Sequence, residues 1–227
     1  ITGSLEKAVQ ASSQVLSVQG QVIPATGIDV MLWAELEDGE KIFGESLIGK
    51  SVKPISRIGC LPENPPALKN AIEAIKEADL IVLGPGSLYT SLLPNLLVPE
   101  IVEELLKNNS PKIYISNLMT QPGETDGLDV YQHIKSIEKQ LFNFGVNTRI
   151  FNAILSQGEF EGSSLIDYYR SRGAEPVICN KKRLVSEGYH VLQAPLYSKR
   201  ITPTLRHDYR RLARAVMYMY KKIKKAN

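Results

Sequence analysis

Short apolar runs that alternate with amphipathic segments constrain the fold of this chain more than any other feature. Strands that are apolar on both faces are typical of a parallel sheet buried between helices, and the intervening helices supply the crossovers that parallel strands need. We therefore predict an α/β fold with three layers, α/β/α, and a mostly parallel sheet. The predicted strands lie in the segments DLIVLG (79–84), KIYISN (112–117), TRIFNAILS (148–156) and EPVICN (175–180).

A hairpin signal precedes this alternation. Residues 27–46 form two strand-like stretches joined by Asp38-Gly39, a dipeptide that favours tight two-stranded turns. The segments 21–24 (QVIP) and 53–61 (KPISRIGCL) are also strand-like. We therefore predict a small β-hairpin excursion beside the main sheet. Helices are predicted for residues 65–78, 98–108, 129–142 and 163–173, and from about Leu205 to the end.

The bulk composition is that of a single globular domain covering residues 1–227. The chain is 43% apolar and 22% charged, and no run approaches the roughly 18 apolar residues of a membrane span. No basic region followed by an apolar stretch marks a secretory signal, and the two cysteines, Cys60 and Cys179, stand far apart. We therefore expect free thiols, a cytoplasmic location and no membrane span.

The N-terminal stretch has an amphipathic pattern without a partner. The chain begins at Ile1 rather than at methionine, and residues 2–18 have the spacing of a helix with one apolar face. Nothing upstream supplies the surface on which that face would pack. We therefore expect the sequence to be the C-terminal part of a longer chain.

Positive charge is concentrated at the C-terminal end. Residues 199–227 contain ten Lys and Arg against one acid, Asp208, so this stretch carries +9 while the whole chain carries only +3. Apolar residues recur through it at helical spacing, namely Leu212, Ala215, Val216, Met219 and Ile223. We interpret the stretch as a helix with one packed face and one solvated basic face. Since no nucleic-acid-binding motif accompanies the charge, we expect no nucleic-acid partner.

The stretch GPGSLYTSLLPN, residues 84–95, follows an apolar strand and is rich in hydroxyl groups. Ligands of parallel α/β sheets bind in the loops beyond the carboxyl ends of the strands. Gly84 and Gly86 permit a tight turn that brings backbone amides close to a ligand, and a helix start there favours an anion. The alternative is an ordinary turn into a helix with Ser87 as its N-cap. The hydroxyl-bearing candidates for ligand binding are Ser87, Tyr89 and Thr90.

A second polar loop, residues 116–127, follows the next strand. It offers donors and acceptors to a ligand with hydroxyl and amide groups, such as a nucleotide or a sugar. Two polar loops on neighbouring crossovers favour a site over two unrelated turns. Glu124 and Asp126 could bind a divalent cation through their carboxylates, or they could cap the helix that follows. The candidate ligand-binding residues of this loop are Asn117, Thr120, Gln121, Glu124 and Thr125.

A third segment has Arg206, His207 and Asp208 where a loop turns into the last helix. Arg206 could hold an anion with its guanidinium fork, or it could pair with a protein carboxylate while Asp208 caps the helix. His133 stands alone on its predicted helix, and we interpret it as a packed or solvated side chain. Neither a nucleophile elbow nor zinc-ligand spacing is present in the sequence, so no catalytic residue is assigned.

Three motifs together resemble one family. They are IVLGPGSLYTSLLPNLLVPEI (81–101), NLMTQPGETDG (117–127) followed by His133, and LRHD (205–208). Over nearly its whole length, the sequence is similar to the gluconeogenesis-factor branch of the CofD-like superfamily, which has a Rossmann-like α/β fold. One residue departs from the pattern, because Gln132 stands where this branch commonly has an acid. The glycine-rich strand-turn-helix that opens the family fold is missing from this sequence.

The resemblance implies a function. Members of this branch bind UDP-sugars such as UDP-N-acetylglucosamine, and they are required for normal cell shape and wall synthesis on gluconeogenic carbon sources. By this resemblance, Arg206 contacts the nucleotide sugar, and the loops 84–90 and 117–125 line the ligand cleft. The implied protein is a cytoplasmic regulator without turnover of its own and without a required cofactor. An unidentified protein partner would read its state, and the sequence leaves homo-oligomers open.

The CofD branch itself is the alternative. Its members transfer a phospholactyl group from a guanosine diphosphate-linked donor to the deazaflavin precursor Fo, with Mg²⁺ as cofactor. Their strand-end motif lacks the SLYTS run of residues 87–91, so the sequence resembles the regulator branch more closely. In a transferase of this kind, Glu124 and Asp126 would be candidate metal ligands.

Overall fold

Two β-sheets organise the chain. The computed structural model describes Val9 and residues 20–51, 53–160, 164–198 and 204–226. The first sheet is antiparallel, and it has strands β1 (Met31–Leu36), β2 (Lys41–Phe43) and β3 (Ile55–Leu61) in the order β2-β1-β3.

The hairpin predicted around Asp38-Gly39 is confirmed. Trp33 on β1 lies opposite Phe43 on β2, and Gly39 takes a φ of 86°, which residues with a side chain rarely adopt. Beside the turn, Lys53 Nζ lies 2.7 Å from Asp38 Oδ2, an exposed ion pair of small energetic weight. β3 pairs along the other edge of β1, as its strand-like composition predicts. The excursion is thus a three-stranded sheet, with a short helix, α1 (Glu45–Ile48), between β2 and β3.

The second sheet has parallel strands, as the apolar alternation predicts. Its strands are β4 (Ile81–Leu83), β5 (Lys112–Ile115), β6 (Ala153–Gln157) and β7 (His190–Ala194), paired in that order. The accompanying helices are α2 (Lys69–Glu77), α3 (Pro99–Lys107), α4 (Val130–Phe142), α5 (Ser164–Arg170), α6 (Lys181–Ser186) and α7 (Tyr209–Ala226). A π turn, Leu88–Leu92, and a 3-10 turn, Leu93–Leu97, lie between β4 and α3.

Opposite faces of the parallel sheet pack against different helices. Ile113 and Ile115 of β5 pack with apolar side chains of α7. Tyr114, between them, belongs to the larger core that includes residues of α3 and α4. Since successive side chains of a strand point to opposite faces, helices cover both faces of the sheet. The predicted α/β/α arrangement is confirmed.

The C-terminal helix packs as its sequence pattern predicts. The side chains of α7 that pack against β5 and β6 are the buried Ala215, Met219 and Ile223 and the partly buried Leu212 and Val216. Each buried methylene group contributes about 0.8 kcal/mol, so this stripe fixes the helix on the sheet. Within the described ranges, neither α7 nor any other helix combines the length and apolarity that crossing a membrane requires.

Two strand predictions are wrong. Residues 21–24 form no strand, since Pro24 lacks an amide hydrogen for a ladder. Residues 175–180 run beside the loop that follows β5, with a single bridge between Met119 and Pro176. The strand next to β6 is β7 instead, whose partly exposed side chains reflect its place at the sheet edge. An edge strand is less uniformly apolar, so its sequence signal is weaker than that of the buried strands.

The helix predicted for residues 2–18 lies outside the described residues, except for Val9, which is helical. Cys60 and Cys179 are free thiols, as expected from their separation.

Gly59 on β3 lies directly under the indole of Trp33. A Cβ at position 59 would come 2.3 Å from the Trp33 ring, which is itself 8% exposed. We expect Gly59→Ala to displace the indole, to shift its emission to the red, and to lower the free energy of unfolding by about 1–3 kcal/mol. Because Trp33 is the only tryptophan in the sequence, intrinsic fluorescence during urea unfolding measures both effects.

Gly39→Ala is the matched control. A Cβ at Gly39 would meet nothing within 4 Å, so only backbone strain at its φ of 86° opposes the substitution. We expect a loss of about 1 kcal/mol with unchanged Trp33 emission. An unaltered emission spectrum in Gly59→Ala would contradict the predicted overlap.

Candidate functional site

The two polar loops predicted to form a site meet at the carboxyl edge of the parallel sheet. The loop after β4 and the loop after β5 are joined where the Gly86 amide donates to Asn117 Oδ1 at 3.3 Å. A deeper link forms where the Thr90 hydroxyl donates to Glu124 Oε1 at 3.1 Å. β4 and β5 pair in parallel, so both loops leave the sheet at the same edge.

The glycine-rich turn after β4 packs tightly against the neighbouring strand. Gly84 has a φ of 95°, and a Cβ there would lie 2.6 Å from the carbonyl oxygen of Ile115. Only glycine fits this position without a shift of the backbone. Ser87 occupies the N-cap position of the turn Leu88–Leu92, yet its hydroxyl makes no capping bond. The turn itself therefore does not use the Ser87 hydroxyl.

Tyr89 points into the interior. Its side chain is buried, and its hydroxyl lies 3.2 Å from the carbonyl oxygen of Ile55 and 3.3 Å from Ser136 Oγ. Burial raises the pKa of the phenol, against the effect of the hydrogen bond with Ser136. Tyr89 thus connects the turn after β4 to β3 and α4 and stabilises the turn from the interior.

Three candidates of the second loop hold that loop in shape. The Thr125 hydroxyl accepts from the Gln121 amide at 2.8 Å, and the Thr120 hydroxyl accepts from the Glu175 amide at 2.9 Å. Both threonines are buried. Gln121 Nε2 donates to Glu124 Oε1 at 3.3 Å. A ligand that reached these groups would compete with hydrogen bonds already formed within the protein.

Glu124 is the buried carboxylate on which both loops converge. Oε1 accepts from Thr90 and Gln121, whereas Oε2 has no hydrogen-bond partner within the part of the chain that the structure describes. Burial raises the pKa of this carboxyl group, and the hydrogen bond from Thr90 acts in the opposite direction. Gly49, which follows α1 between β2 and β3, also lies near this carboxylate. A Cβ at Gly49 would lie 3.4 Å from Oε1. The negative charge of Glu45 on α1 further raises the pKa.

The segment before α7 brings Arg206 to the same edge. Arg206 is exposed, and its Nε donates to Thr204 Oγ1 at 3.2 Å. The adjacent His207 ring lies close to the backbone carbonyl of Ser116, the first residue of the second polar loop, directly after β5. Burial lowers the pKa of the His207 ring, and the nearby backbone carbonyl of Ser116 opposes this effect. The Arg206 segment therefore lies beside the loop after β5.

Asp208 and Asp126 both accept hydrogen bonds from backbone amides. Asp208 Oδ1 accepts from the amides of Arg210 and Arg211 at 3.0 and 3.1 Å, and so it caps α7. Asp126 Oδ2 accepts from an amide of its own loop at 2.7 Å. Asp129, rather than Asp126, is the N-cap of α4.

Gln132, which departs from the family pattern, completes a capping box at the start of α4. The Asp129 side chain accepts from the Gln132 amide, and the Gln132 side chain accepts from the Asp129 amide, both at 2.8 Å. His133 follows and is fully buried, as the packed interpretation predicts, with Nδ1 2.8 Å from the Asp129 carbonyl oxygen. Burial lowers the pKa of this ring. Gln132 therefore has a structural role that needs no charge.

Several buried polar atoms around this edge have no hydrogen-bond partner among the described residues. They are Ser116 Oγ, Glu124 Oε2, His133 Nε2 and His207 Nε2. Buried polar groups are nearly always paired, so such atoms mark positions for water or a ligand. The sequence offers no signal for Ser116 beyond its place at a strand end. Among the residues that the structure describes, no three His, Cys, Asp or Glu side chains gather as a metal site.

Replacing Glu124 with glutamine is expected to change how stability depends on pH. The fold raises the pKa of this carboxyl group above its ordinary value of 4.5 and so favours the protonated form. The resulting stabilisation is complete below pH 4.5 and is lost as the pH rises through the higher pKa of the folded state. Glu124→Gln lacks this ionisation. Its free energy of unfolding, relative to that of the unaltered protein, should therefore increase from pH 4.5 into the neutral range.

Urea unfolding of both proteins over this pH range measures the effect. Glu77→Gln, which removes an exposed carboxylate at the end of α2, controls for the general loss of one negative charge. A stability difference between the Glu124→Gln variant and the unaltered protein that stayed constant with pH would contradict burial as the cause.

Comparison with known proteins gives the family. Residues 1–197 match the family described as 2-phospho-L-lactate transferase CofD. A putative gluconeogenesis factor from Nostoc sp. is 44% identical, over 97% of this chain and 47% of the relative. The gluconeogenesis factor of Bacillus subtilis is 38% identical, over 97% of this chain and 68% of the relative. The chain therefore spans about half to two thirds of the length of these relatives.

The fold agrees with a solved structure. The crystal structure of a UPF0052 family member from Bacillus halodurans has a TM-score of 0.87 and 37% identity, and it covers 95% of this chain and 67% of that protein. Sequence and fold thus lead to one conclusion. The chain belongs to the CofD family and, within it, to the gluconeogenesis factors.

Proposed function

We propose that this protein is a regulator that binds a nucleotide sugar of the UDP-N-acetylglucosamine type. It would act in gluconeogenic growth, in the cytoplasm, and support cell shape and wall synthesis. The names of its relatives support the gluconeogenic role. The single observation that carries the ligand proposal is the convergence of two polar loops and Arg206 at the carboxyl edge of the sheet.

The donors at this edge suit a diphosphate. Arg206 is exposed, and among the described residues no ion pair of its guanidinium is found. A guanidinium fork binds phosphate oxygens in a bidentate manner. The link from Arg206 to the Gly86 amide runs through two contacts, His207 with Ser116 and Asn117 with Gly86. We place the diphosphate between Gly86 and Arg206.

Asn117 gives the site a means of responding to the ligand. Its Oδ1 accepts from the Gly86 amide at 3.3 Å, a long hydrogen bond. A phosphate oxygen that took this amide would release the Asn117 side chain to bind the nucleoside or the sugar. The Ser87 hydroxyl, which does not cap its turn, lies beside this position. The ligand would stabilise one arrangement of the two loops, and a protein partner would read that arrangement without any turnover.

The second candidate is a Mg²⁺-dependent phospholactate transferase. It is favoured by the family match, whose description names that activity. In this reading, Glu124 and Asp126 would supply carboxylate ligands to Mg²⁺, since hard cations prefer oxygen donors. Glu124 Oε2, which finds no hydrogen-bond partner in the described ranges, is the atom best placed for this role. Metal dependence and the identity of the nucleoside separate the two candidates.

Calorimetric titration of UDP-N-acetylglucosamine into the full-length protein, with and without Mg²⁺, tests the proposal. We expect binding that does not need the metal. Arg206→Ala should weaken it by about 2 kcal/mol, the effect of losing a charge-assisted contact. Arg210→Ala, which removes another exposed arginine at the start of α7, is the matched control and should bind like the unaltered protein.

No binding at millimolar UDP-sugar would overturn the proposed function. Binding of a guanosine diphosphate-linked donor, and only with Mg²⁺, would support the transferase instead.

A further inference from the structure

A separate cavity lies beyond the carboxyl ends of β6 and β7. Its volume is about 850 Å³, within the range of small-molecule sites. Gly158, which follows β6, and Gln193 on β7 line one side, while Ile166 of α5 lines another. Gly86 and Asn117, which join the two polar loops, are not part of this lining.

The charge of this cavity is opposite to that of the proposed diphosphate position. The charged side chains of its lining are four carboxylates and one guanidinium, a net formal charge of −3, namely Asp129, Glu159, Asp167, Glu175 and Arg170. Arg170 already pairs with Glu175 at 3.1 Å and with Asp167 at 3.6 Å. This lining disfavours phosphate by like-charge repulsion. An uncharged group with hydroxyl donors would find acceptors in the carboxylates.

Much of the remaining lining is apolar. Leu128, Phe160, Ile166 and Val177 contribute to it, and the Phe160 ring lies 5.2 Å from the ring of Tyr197. A hexose presents C–H groups on its faces and hydroxyl groups at its rim. Its faces would pack on the apolar wall and its hydroxyls would donate to the carboxylates, so the chemistry of the cavity matches a sugar ring.

The cavity shares structural supports with the proposed nucleotide site. Thr120 belongs to the second polar loop and also lines the cavity. Leu205, directly before Arg206, packs in one apolar cluster with Phe160 and Ile166 of the cavity wall. The Arg206 segment and the acidic cavity are therefore neighbours. One ligand with an anionic end and an uncharged end could reach both.

We propose that this cavity receives the sugar ring of the nucleotide sugar, while the diphosphate lies at Gly86 and Arg206. The inference rests on the proposed function, because it concerns the same ligand. It adds that the cavity beyond β6 and β7 is the part of the edge that recognises the sugar. Glu159 and Gln193 are the side chains assigned to the sugar hydroxyl and amide groups.

Cys179 provides a reporter inside the cavity. Cys179 belongs to the lining, whereas Cys60, the other cysteine, is buried on β3. The experiment measures labelling of both thiols with N-ethylmaleimide by mass spectrometry, with UDP or UDP-N-acetylglucosamine at ten times its Kd. We expect UDP-N-acetylglucosamine to slow the labelling of Cys179 about tenfold, since only the free protein reacts, and UDP to leave it unchanged. Cys60 is the internal control.

Variants of the cavity separate sugar recognition from nucleotide recognition. Glu159→Gln and Gln193→Ala should each reduce the preference for UDP-N-acetylglucosamine over UDP by up to about tenfold, the scale of one hydrogen bond. Their affinity for UDP itself should not change. Glu73→Gln, which removes an exposed carboxylate on α2, is the matched control for both ligands.

The outcomes distinguish this inference from the proposed function. Equal protection of Cys179 by both nucleotides, or binding of UDP-N-acetylglucosamine without any protection, would overturn the sugar assignment and leave the function standing. Folded cavity variants that changed the affinity for UDP and for the UDP-sugar equally would also overturn it. If neither nucleotide bound, the proposed function would fail, and the sugar assignment with it.

Discussion

The parallel pairing of β4, β5, β6 and β7 is the constraint on which the rest of the structure depends. Parallel strands end at one edge, so the four segments that follow them gather there. Burial on both faces fixes the register, because a shift by one residue would exchange the side chains that face α7 with those that face α3 and α4. The meeting of Gly86 with Asn117 and of His207 with Ser116 follows from this arrangement.

A buried carboxylate stands where the two sheets and the two loops come together. Glu124 is 5% exposed and accepts from Thr90 and Gln121, yet one of its oxygens has no partner among the residues described. Such a group reduces stability when ionised, since desolvation disfavours its charge. The same unpaired oxygen is also a position that water or a ligand can occupy. Stability and binding are therefore coupled at this residue.

The proposed ligand would lie along an edge whose two halves differ in charge. Donors surround the Gly86 and Arg206 half, and carboxylates line the half beyond β6 and β7. A nucleotide sugar has the matching polarity, with an anionic diphosphate and an uncharged, hydroxyl-rich ring. This separation would orient the ligand through repulsion at the wrong end as well as attraction at the right end.

The sequence alone determined the features that depend on local patterns. The apolar runs of β4, β5 and β6, the Asp38-Gly39 turn and the apolar face of α7 were all recognisable, because each depends on neighbours within a few residues. The pattern was misleading at residues 175–180, which run beside the loop after β5 with a single bridge between Met119 and Pro176 and do not pair in the sheet.

Which polar groups are hydrogen-bonded within the protein, and which remain available to a ligand, depends on contacts between distant segments. Thr120, Thr125 and Tyr89 are residue types that often line binding sites. In the folded chain, however, the hydroxyl group of each makes a hydrogen bond within the protein. The Ser116 and His207 atoms without a partner among the described residues, and the cavity beyond β6 and β7, result from contacts between segments far apart in the chain. A polar residue has the same letter in a sequence whether its partner is the protein or a ligand, and only the folded arrangement supplies or withholds that partner.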